Sequence, residues 1–267
     1  MKKVAFLALF TLFTAFCHGE IKQVKDMDTL IELFKDADEN TLAIFDVDMV
    51  LVQPSNPAFQ MANIKRFGAI ANSIMNDIPL EKKMIFFCLM TITSETILID
   101  TKMPQFLKQL HSKKVPTMAL TANLTGEFFD IKNMQQWRLE SLQKLGIDFS
   151  RSSPSASSFV FHELASYRGN YSSYSNGVLF VNGIEVSKGE ALLSFFDKAG
   201  YKPHKIIFVD DREENLINVE ATLKKLEKPV HFQGLHFLGA QNYPSKLITE
   251  QEFESEWQKL ATQTASA

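Results

Sequence analysis

The chain of 267 residues is poor in cysteine and tryptophan, with 2 of each, and carries no large excess of either charge. Two cysteines cannot build a disulfide framework or a cysteine-rich zinc site. The 28 Lys and Arg against 31 Asp and Glu leave a net charge of −3, which gives no electrostatic reason to expect a nucleic-acid partner. Hydrophobic residues make up 45% of the chain, which excludes global disorder. We therefore expect a soluble globular protein, whose 23 Phe fill its core.

Residues 1–19 have the parts of a secretory signal peptide. Lys2 and Lys3 precede an apolar run over residues 4–16, and Cys17 and Gly19 are small residues near a cleavage position. The run is too short for a permanent membrane helix, which needs about 20 apolar residues. We expect an exported protein, periplasmic or extracellular, with no stable membrane span after cleavage; a lipid anchor on Cys17 is the alternative.

Cleavage after residue 19 would leave Cys88 as the only thiol. It stands in the apolar segment 84–90, with no obvious activating neighbour in sequence. The pattern favours a buried packing thiol over a nucleophile.

Short apolar runs that are typical of buried strands alternate with segments of helical periodicity. The runs are residues 41–45, 115–120, 205–209 and 231–237, and the helical segments include 128–145, 188–198 and 214–225. A hairpin is predicted around Asn182-Gly183, and Ser187 and Glu190 have the spacing of a capping box. The alternation predicts an α/β fold with a doubly wound parallel sheet.

Polar residues follow these strands or open the helix after one. They are Asp46, Asp48, Thr121, Lys188, Asp210 and Asp211. The carboxyl ends of parallel strands meet at one edge of an open sheet, so these side chains can converge. Carboxylates suit Mg²⁺ and can attack phosphorus, while a lysine and a hydroxyl stabilise phosphoryl oxygens. The set predicts Mg²⁺-dependent phosphoryl chemistry.

Residues 44–51, Ile-Phe-Asp-Val-Asp-Met-Val-Leu, resemble motif I of the haloacid-dehalogenase-like (HAD) phosphatases, an Asp-x-Asp-x-[Thr/Val] pattern after an apolar strand. Thr121 is similar to motif II, Lys188 to motif III, and residues 208–211, Phe-Val-Asp-Asp, to motif IV. The resemblance covers the core from about residue 41 to 240. It implies a Rossmann-like core, Mg²⁺ dependence and an aspartyl-phosphate intermediate.

The resemblance also implies a role for each residue. Asp46 would be the nucleophile and a metal ligand. Asp48 would be the general acid and then the base, with its backbone carbonyl on the metal. Asp210 would bind the metal, and Asp211 would bind it through water or pair with Lys188. Thr121 and Lys188 would hold the phosphoryl oxygens.

The assignment of Lys188 to motif III has alternatives. As part of a capping box, Lys188 could be an exposed first-turn residue, and Lys198, Lys202 or Lys205 would then be nearer candidates to motif IV.

The resemblance also divides the chain. After the signal peptide at residues 1–19, the core would comprise residues 20–51 and 117–267. The insertion at 52–116 shows helical periodicity and would form a cap that governs which leaving groups reach Asp46.

The sequence thus predicts an exported Mg²⁺-dependent phosphomonoesterase for a small phosphorylated substrate. One alternative is a catalytically idle binding protein of the same fold, because Met49 stands where many HAD members have Gly. The other is a phosphomutase or phosphonatase.

Overall fold

A computed structural model describes residues 20–267 as a mixed α/β protein with a mostly parallel central sheet flanked by helices. This agrees with the expected α/β class and is consistent with a Rossmann-like core. The signal peptide predicted at residues 1–19 lies outside the described residues. Within residues 20–267, no helix has the length and apolar character to cross a bilayer.

The strands are β1 (Glu20–Val24), β2 (Thr41–Phe45), β3 (Val52–Pro54), β4 (Thr96–Leu98), β5 (Thr117–Thr121), β6 (Phe159–Val160), β7 (Ser173–Ser175), β8 (Val178–Phe180), β9 (Lys205–Asp210) and β10 (His231–Phe237). Eight of them form one sheet in the order β1-β10-β9-β2-β5-β8-β7-β6. The neighbours from β1 to β8 pair in parallel, and β7 and β6 add antiparallel pairs at one edge. β3 and β4 form a separate antiparallel pair.

The helices are α1 (Met27–Leu33), α2 (Met61–Arg66), α3 (Gly68–Asp77), α4 (Leu80–Ile92), α5 (Met103–Ser112), α6 (Met134–Lys144), α7 (Lys188–Ala199), α8 (Glu213–Leu223) and α9 (Glu250–Ser266). Two short 3-10 turns cover Pro57–Phe59 and Gly239–Asn242. The predicted helix at 128–145 begins only at Met134, where the side chain of Asn133 caps it by accepting from Gln136 N.

Both faces of the sheet are buried. Leu42 and Ile44 of β2 belong to the apolar cluster that includes α7 and α8, whereas Ala43 and Phe45 belong to the one that includes α1, α5 and α6. Every residue of β2 is buried, which explains why its sequence is a continuous apolar run rather than an alternating one. Burial of both faces leaves the carboxyl edge as the place where these strands present polar groups.

A third apolar cluster joins the insertion to the C-terminal helix. Phe86 of α4 packs on Trp257 of α9, and the Trp257 indole N–H donates to the carbonyl of Ala58 at 2.8 Å. Helix α5 also lies within residues 52–116, but Phe106 and Leu110 pack in the cluster against the sheet. Packing therefore groups α9 with α3 and α4, and α5 with the sheet.

The Asn-Gly hairpin predicted at Asn182-Gly183 is wrong. The turn lies at Asn176-Gly177, between the antiparallel strands β7 and β8. Both turn residues have positive φ, 48° and 78°, as a type I′ turn requires.

The side chain of Asn182 instead forms hydrogen bonds with residues of two other loops. It is buried, and its Oδ1 accepts from the backbone N–H of Thr125 at 3.0 Å. Its amide donates to the carbonyls of Tyr167 and Asn170 at 3.2 and 2.7 Å. Since β8 pairs with β5 only as far as Phe180, the chain leaves the sheet before this second Asn-Gly pair.

Met49 has a left-handed backbone, with φ 63°, and its side chain is buried against the sheet. Met49→Ala removes the packing but keeps the strained backbone, so it should destabilise by about 2–5 kcal/mol. Met49→Gly removes the same packing but relieves the strain, so it should be the more stable variant by about 0.5–1 kcal/mol, after glycine's larger unfolded-state entropy. Urea unfolding of both variants checks this order. A glycine variant less stable than the alanine variant would contradict it.

Candidate active site

The ends of two adjacent strands bring the first carboxylates together. Asp46 follows β2 directly and Asp210 ends β9, and these strands pair in parallel with Phe45 opposite Val209. The backbone N–H of Asp46 extends the pairing by donating to the carbonyl of Val209 at 2.8 Å. One carboxylate oxygen from each of Asp46, Asp210 and Asp211 lies within 4.8 Å of the others.

Lys188 reaches this carboxylate cluster from the start of α7. Its Nζ lies 2.7 Å from Asp210 Oδ2 and 2.9 Å from Asp46 Oδ2, and the residue is 6% exposed. The predicted capping box is confirmed, because Ser187 Oγ accepts from Glu190 N while Glu190 accepts from Ser187 N. Lys188 is therefore a capping-box residue and a buried one, which removes the alternative of an exposed first turn.

The other lysine of α7 lies elsewhere. Lys198 Nζ is 3.0 Å from Glu163 Oε2, and both side chains are partly exposed. Of the two, Lys188 is the one that meets the carboxylates.

A glycine next to Lys188 allows α7 to lie close to α8. A Cβ on Gly189 would stand 2.4 Å from Thr222 Oγ1 and 2.8 Å from its Cβ, closer than real contacts allow. The backbone N–H of Gly189 donates to Asn218 Oδ1 at 3.0 Å. Since α8 begins directly after Asp211 and Arg212, this contact fixes Lys188 relative to the acidic pair. A glycine after Lys188 does not by itself indicate this close packing, because the contact is made by a different helix.

The carboxylate of Asp210 is fully buried and has partners on both oxygens. Oδ1 accepts from the backbone N–H of Arg212 and from Asn215 Nδ2, each at 2.9 Å, and Oδ2 accepts from Lys188. Asp46 Oδ1 accepts from the backbone N–H of Val47 at 2.7 Å. These bonds fix the side chains of Asp46 and Asp210 in one orientation.

The charges of the cluster are unbalanced. Burial raises the pKa of Asp46 to about 7; Lys188 opposes the rise, and the negative charges of Asp210 and Asp48 add to it. Removal from water raises the pKa of Asp211 well above its usual range, with repulsion from Asp46 and Asp210 adding to the effect. Burial alone would lower the pKa of Lys188, but Asp210 and Asp46 raise it above its ordinary value. Three carboxylates around one ammonium thus favour a further cation.

The donor set fits Mg²⁺. The cluster consists of carboxylate oxygens from Asp46, Asp210 and Asp211, with no imidazole or thiolate among them. Mg²⁺ is bound by a small number of carboxylates and completes its octahedron with waters and phosphate oxygens. Zinc sites use His and Cys far more often. These three residues could therefore hold Mg²⁺.

The side chain of Asp48 lies apart from the carboxylate cluster. Nη2 of Arg138, on α6, lies 3.0 Å from its Oδ1 and 3.2 Å from its Oδ2. Arg138 is fully buried, and no motif in the sequence marks it as a site residue. A lone basic residue in a helical segment gives no local signal of such a role, since most arginines face solvent.

Thr121 ends β5, the strand on the other side of β2, where Ala119 lies opposite Phe45. It is buried, and its Oγ1 accepts from the backbone N–H of Asn123 at 3.2 Å. Asn123 is also buried, and its Oδ1 has no hydrogen-bond partner in the described part of the chain. This sheet edge therefore holds a second polar side chain beside Thr121.

Cys88 is a buried free thiol, as predicted. Burial raises its pKa to about 12, which keeps it protonated and poorly nucleophilic at neutral pH.

Comparison with known proteins identifies a family. Residues 20–266 match the model of the family described as "Protein of unknown function (DUF2608)". An uncharacterized protein of Rickettsia bellii (strain RML369-C) is 26% identical over 246 residues, which cover 88% of this chain and 83% of that protein. Uncharacterized proteins of Rickettsia felis (strain ATCC VR-1525 / URRWXCal2) and Rickettsia prowazekii (strain Madrid E) are each 24% identical over 247 residues, covering 89% and 88% of this chain and 83% and 82% of those proteins. The HAD resemblance stays a prediction beside these matches. Because the family model covers nearly all of the chain, the protein belongs to the DUF2608 family.

Proposed function

We propose that this protein is a Mg²⁺-dependent phosphomonoesterase of HAD-like type that acts on a small phosphorylated substrate through an aspartyl-phosphate intermediate. The observation that carries the proposal is the contact of Lys188 with both Asp46 and Asp210, beside Asp211. A strand-end turn or a helix cap requires one acidic residue. It does not require a buried lysine shared by carboxylates from two strands.

In the first step, a carboxylate oxygen of Asp46 attacks phosphorus, and the bond from phosphorus to the leaving oxygen breaks. Asp48 gives its proton to that oxygen. In the second step, water attacks phosphorus while Asp48 takes a proton from it, and the bond from Asp46 to phosphorus breaks to release phosphate.

The charged groups around Asp46 support this chemistry. Lys188 stays protonated because the carboxylates raise its pKa, so it can neutralise phosphoryl charge. Thr121, at the end of the neighbouring strand, can donate to a phosphoryl oxygen. A bound Mg²⁺, held by Asp46, Asp210 and Asp211, would supply further neutralisation of negative charge.

The proposal also includes a cap over the site and export of the protein from the cytoplasm. Helices α2–α4 of the insertion, with α9 packed on them, would cover the site and exclude water. The Tyr167 hydroxyl donates to the carbonyl of Glu81 on α4 at 2.8 Å, which links the insertion to a loop of the core. Export rests on the signal-like residues 1–19.

The test is hydrolysis of an aryl phosphate by wild type, Asp46→Asn and the matched control Asp130→Asn, whose side chain is exposed. We expect Mg²⁺-dependent turnover in wild type and control, abolished by a chelator. Asp46→Asn should lose at least about 10³-fold in kcat, because the nucleophile is gone.

Retained turnover in a folded Asp46→Asn protein would refute the aspartyl-phosphate route. If a folded wild type binds Mg²⁺ but hydrolyses no phosphate ester, the alternative of a catalytically inactive binding protein is favoured instead.

A further inference from the structure

Arg138 is a buried cation that forms an ion pair with Asp48. Its side chain is 1% exposed, and Nη2 contacts both oxygens of the carboxylate, at 3.0 and 3.2 Å. Its Nε has no hydrogen-bond partner within residues 20–267. The Arg138 guanidinium carbon lies 4.9 Å from the centre of the Trp137 ring, which limits its movement further.

Stability alone does not account for a cation at this position. Burying a guanidinium costs several kcal/mol, and a buried ion pair is often no more stable than apolar residues of similar size. Residues Leu139 and Leu142 of the same helix pack in the apolar cluster on the sheet. An apolar residue at position 138 could pack in the core at this point of the helix, and no charge would have to be removed from water. The pairing therefore points to a requirement set by Asp48.

The pair lies between the core and the insertion. Asp48 stands in the turn after β2, and its side chain is 28% exposed. Cys88, on α4 of the insertion, is close enough for the charges of Arg138 and Asp48 to act on its thiol. The negative charge of Asp48 also contributes to the raised pKa of Asp46, so the Asp48 carboxylate lies near the proposed nucleophile.

We propose that Arg138 is a positioning residue, which fixes the direction of the Asp48 side chain so that it can exchange a proton with the leaving group. The inference rests on the proposed phosphomonoesterase activity. Without Arg138, the Asp48 carboxyl would be free to rotate about its side-chain bonds, and proton transfer would lose its geometry. Asp46 would keep its contacts with Lys188 and with the backbone N–H of Val47, so nucleophilic attack would be unaffected.

The test compares kcat/KM for two phosphate monoesters of similar size. A p-nitrophenyl ester releases a stable phenolate that needs no proton, whereas an alkyl ester releases an alkoxide that does. Because kcat/KM covers steps up to formation of the phosphoenzyme, it reports leaving-group expulsion and not the later attack by water. Arg138→Met should lower kcat/KM by about 10²-fold for the alkyl ester and by less than about threefold for the aryl ester.

Further variants separate positioning from folding. Leu142→Ala creates a cavity under the same helix without touching Asp48, and it should change both esters alike. Asp48→Asn should show the same selectivity as Arg138→Met, and the double variant should be little worse than either, since the two residues act as a unit. Arg138→Lys keeps the charge and serves if Arg138→Met does not fold; it should recover part of the alkyl-ester activity.

Equal losses on both esters in the Arg138 variants, or the selective loss in Leu142→Ala, would overturn the positioning role while leaving the proposed function intact. A folded, Mg²⁺-loaded wild type that hydrolyses neither ester would overturn the proposed function, and the positioning role with it.

Discussion

Replacing Asp46 by Asn should stabilise the metal-free protein at pH 8. With Mg²⁺ bound, wild type should instead be the more stable of the two. The surroundings of Asp46 disfavour its ionised form, since burial and the neighbouring carboxylates outweigh Lys188 and raise its pKa to about 7. Ionising this group in the folded protein therefore costs free energy that the unfolded chain does not lose. Asparagine keeps a similar shape and cannot ionise.

The pH dependence has a definite sign. Between its ordinary value of 3.8 and the folded value of about 7, Asp46 binds more proton in the folded than in the unfolded state. The contribution of Asp46 to the free energy of unfolding is therefore largest below about pH 4, and it is lost as the pH rises to about 7. The full loss is on the order of 4 kcal/mol. At pH 5, where folded Asp46 is mostly protonated, wild type and Asp46→Asn should differ little.

Magnesium should act in the opposite direction. A ligand at about 100 times its Kd stabilises the folded state by about 2.7 kcal/mol. Wild type offers the carboxylates of Asp46, Asp210 and Asp211 to the ion, and the variant lacks one of them. Wild type should therefore gain more from Mg²⁺ than Asp46→Asn does.

Urea unfolding at pH 5 and pH 8, with chelator and with Mg²⁺, measures both effects, and Asp130→Asn is the control for loss of an exposed carboxylate. The measurement needs no catalytic activity. If Mg²⁺ stabilises wild type and Asp46→Asn equally, the carboxylate cluster is not a metal site.

The second large effect is expected from Lys188→Met. It removes the cation that contacts Asp46 and Asp210 but keeps much of the side-chain volume. Leaving a buried charge without its partner typically costs about 3–5 kcal/mol, so the metal-free variant should be destabilised by this amount near neutral pH. The loss should be smaller at pH 5, because folded Asp46 is then already mostly protonated and only Asp210 loses a charged partner.

Lys198→Met is the matched control for that variant. It is on the same helix, but its partner Glu163 is partly exposed, as Lys198 is. Loss of an exposed pair changes the free energy of unfolding by at most about 1 kcal/mol. Similar losses in the two lysine variants, measured by chemical unfolding with chelator, would contradict a strained charge cluster around Lys188.

Local pattern was sufficient for the strands buried on both faces. β2 and β9 lie within a residue of their predicted bounds, because such strands carry a continuous apolar run. β10 also has its predicted bounds, although polar residues interrupt its sequence and its burial alternates. The edge strand β1 was not predicted, because its sequence, Glu-Ile-Lys-Gln-Val, contains no apolar run. The three-residue β3 and β4 were not predicted either, since strands this short carry little periodicity.

The same distinction applies to the site. Asp46, Asp210 and Asp211 were predicted to converge because residues that follow parallel strands share one sheet edge, and the structure places them there. Their roles in binding metal and in catalysis remain predictions.

The sequence by itself determined the buried strands, the helix capping at Ser187 and the edge where the acidic residues gather, because these depend on residues close together along the chain. Only the tertiary structure decided the contacts of Arg138 with Asp48 and of α9 with the insertion. Tertiary contacts also decided that the hairpin turn forms at Asn176-Gly177 and not at Asn182-Gly183. Both Asn-Gly pairs can adopt the turn locally, and an arginine on a helix can face solvent or core. Which state is more stable depends on partners far away in sequence, through burial and pairing that a local pattern does not encode.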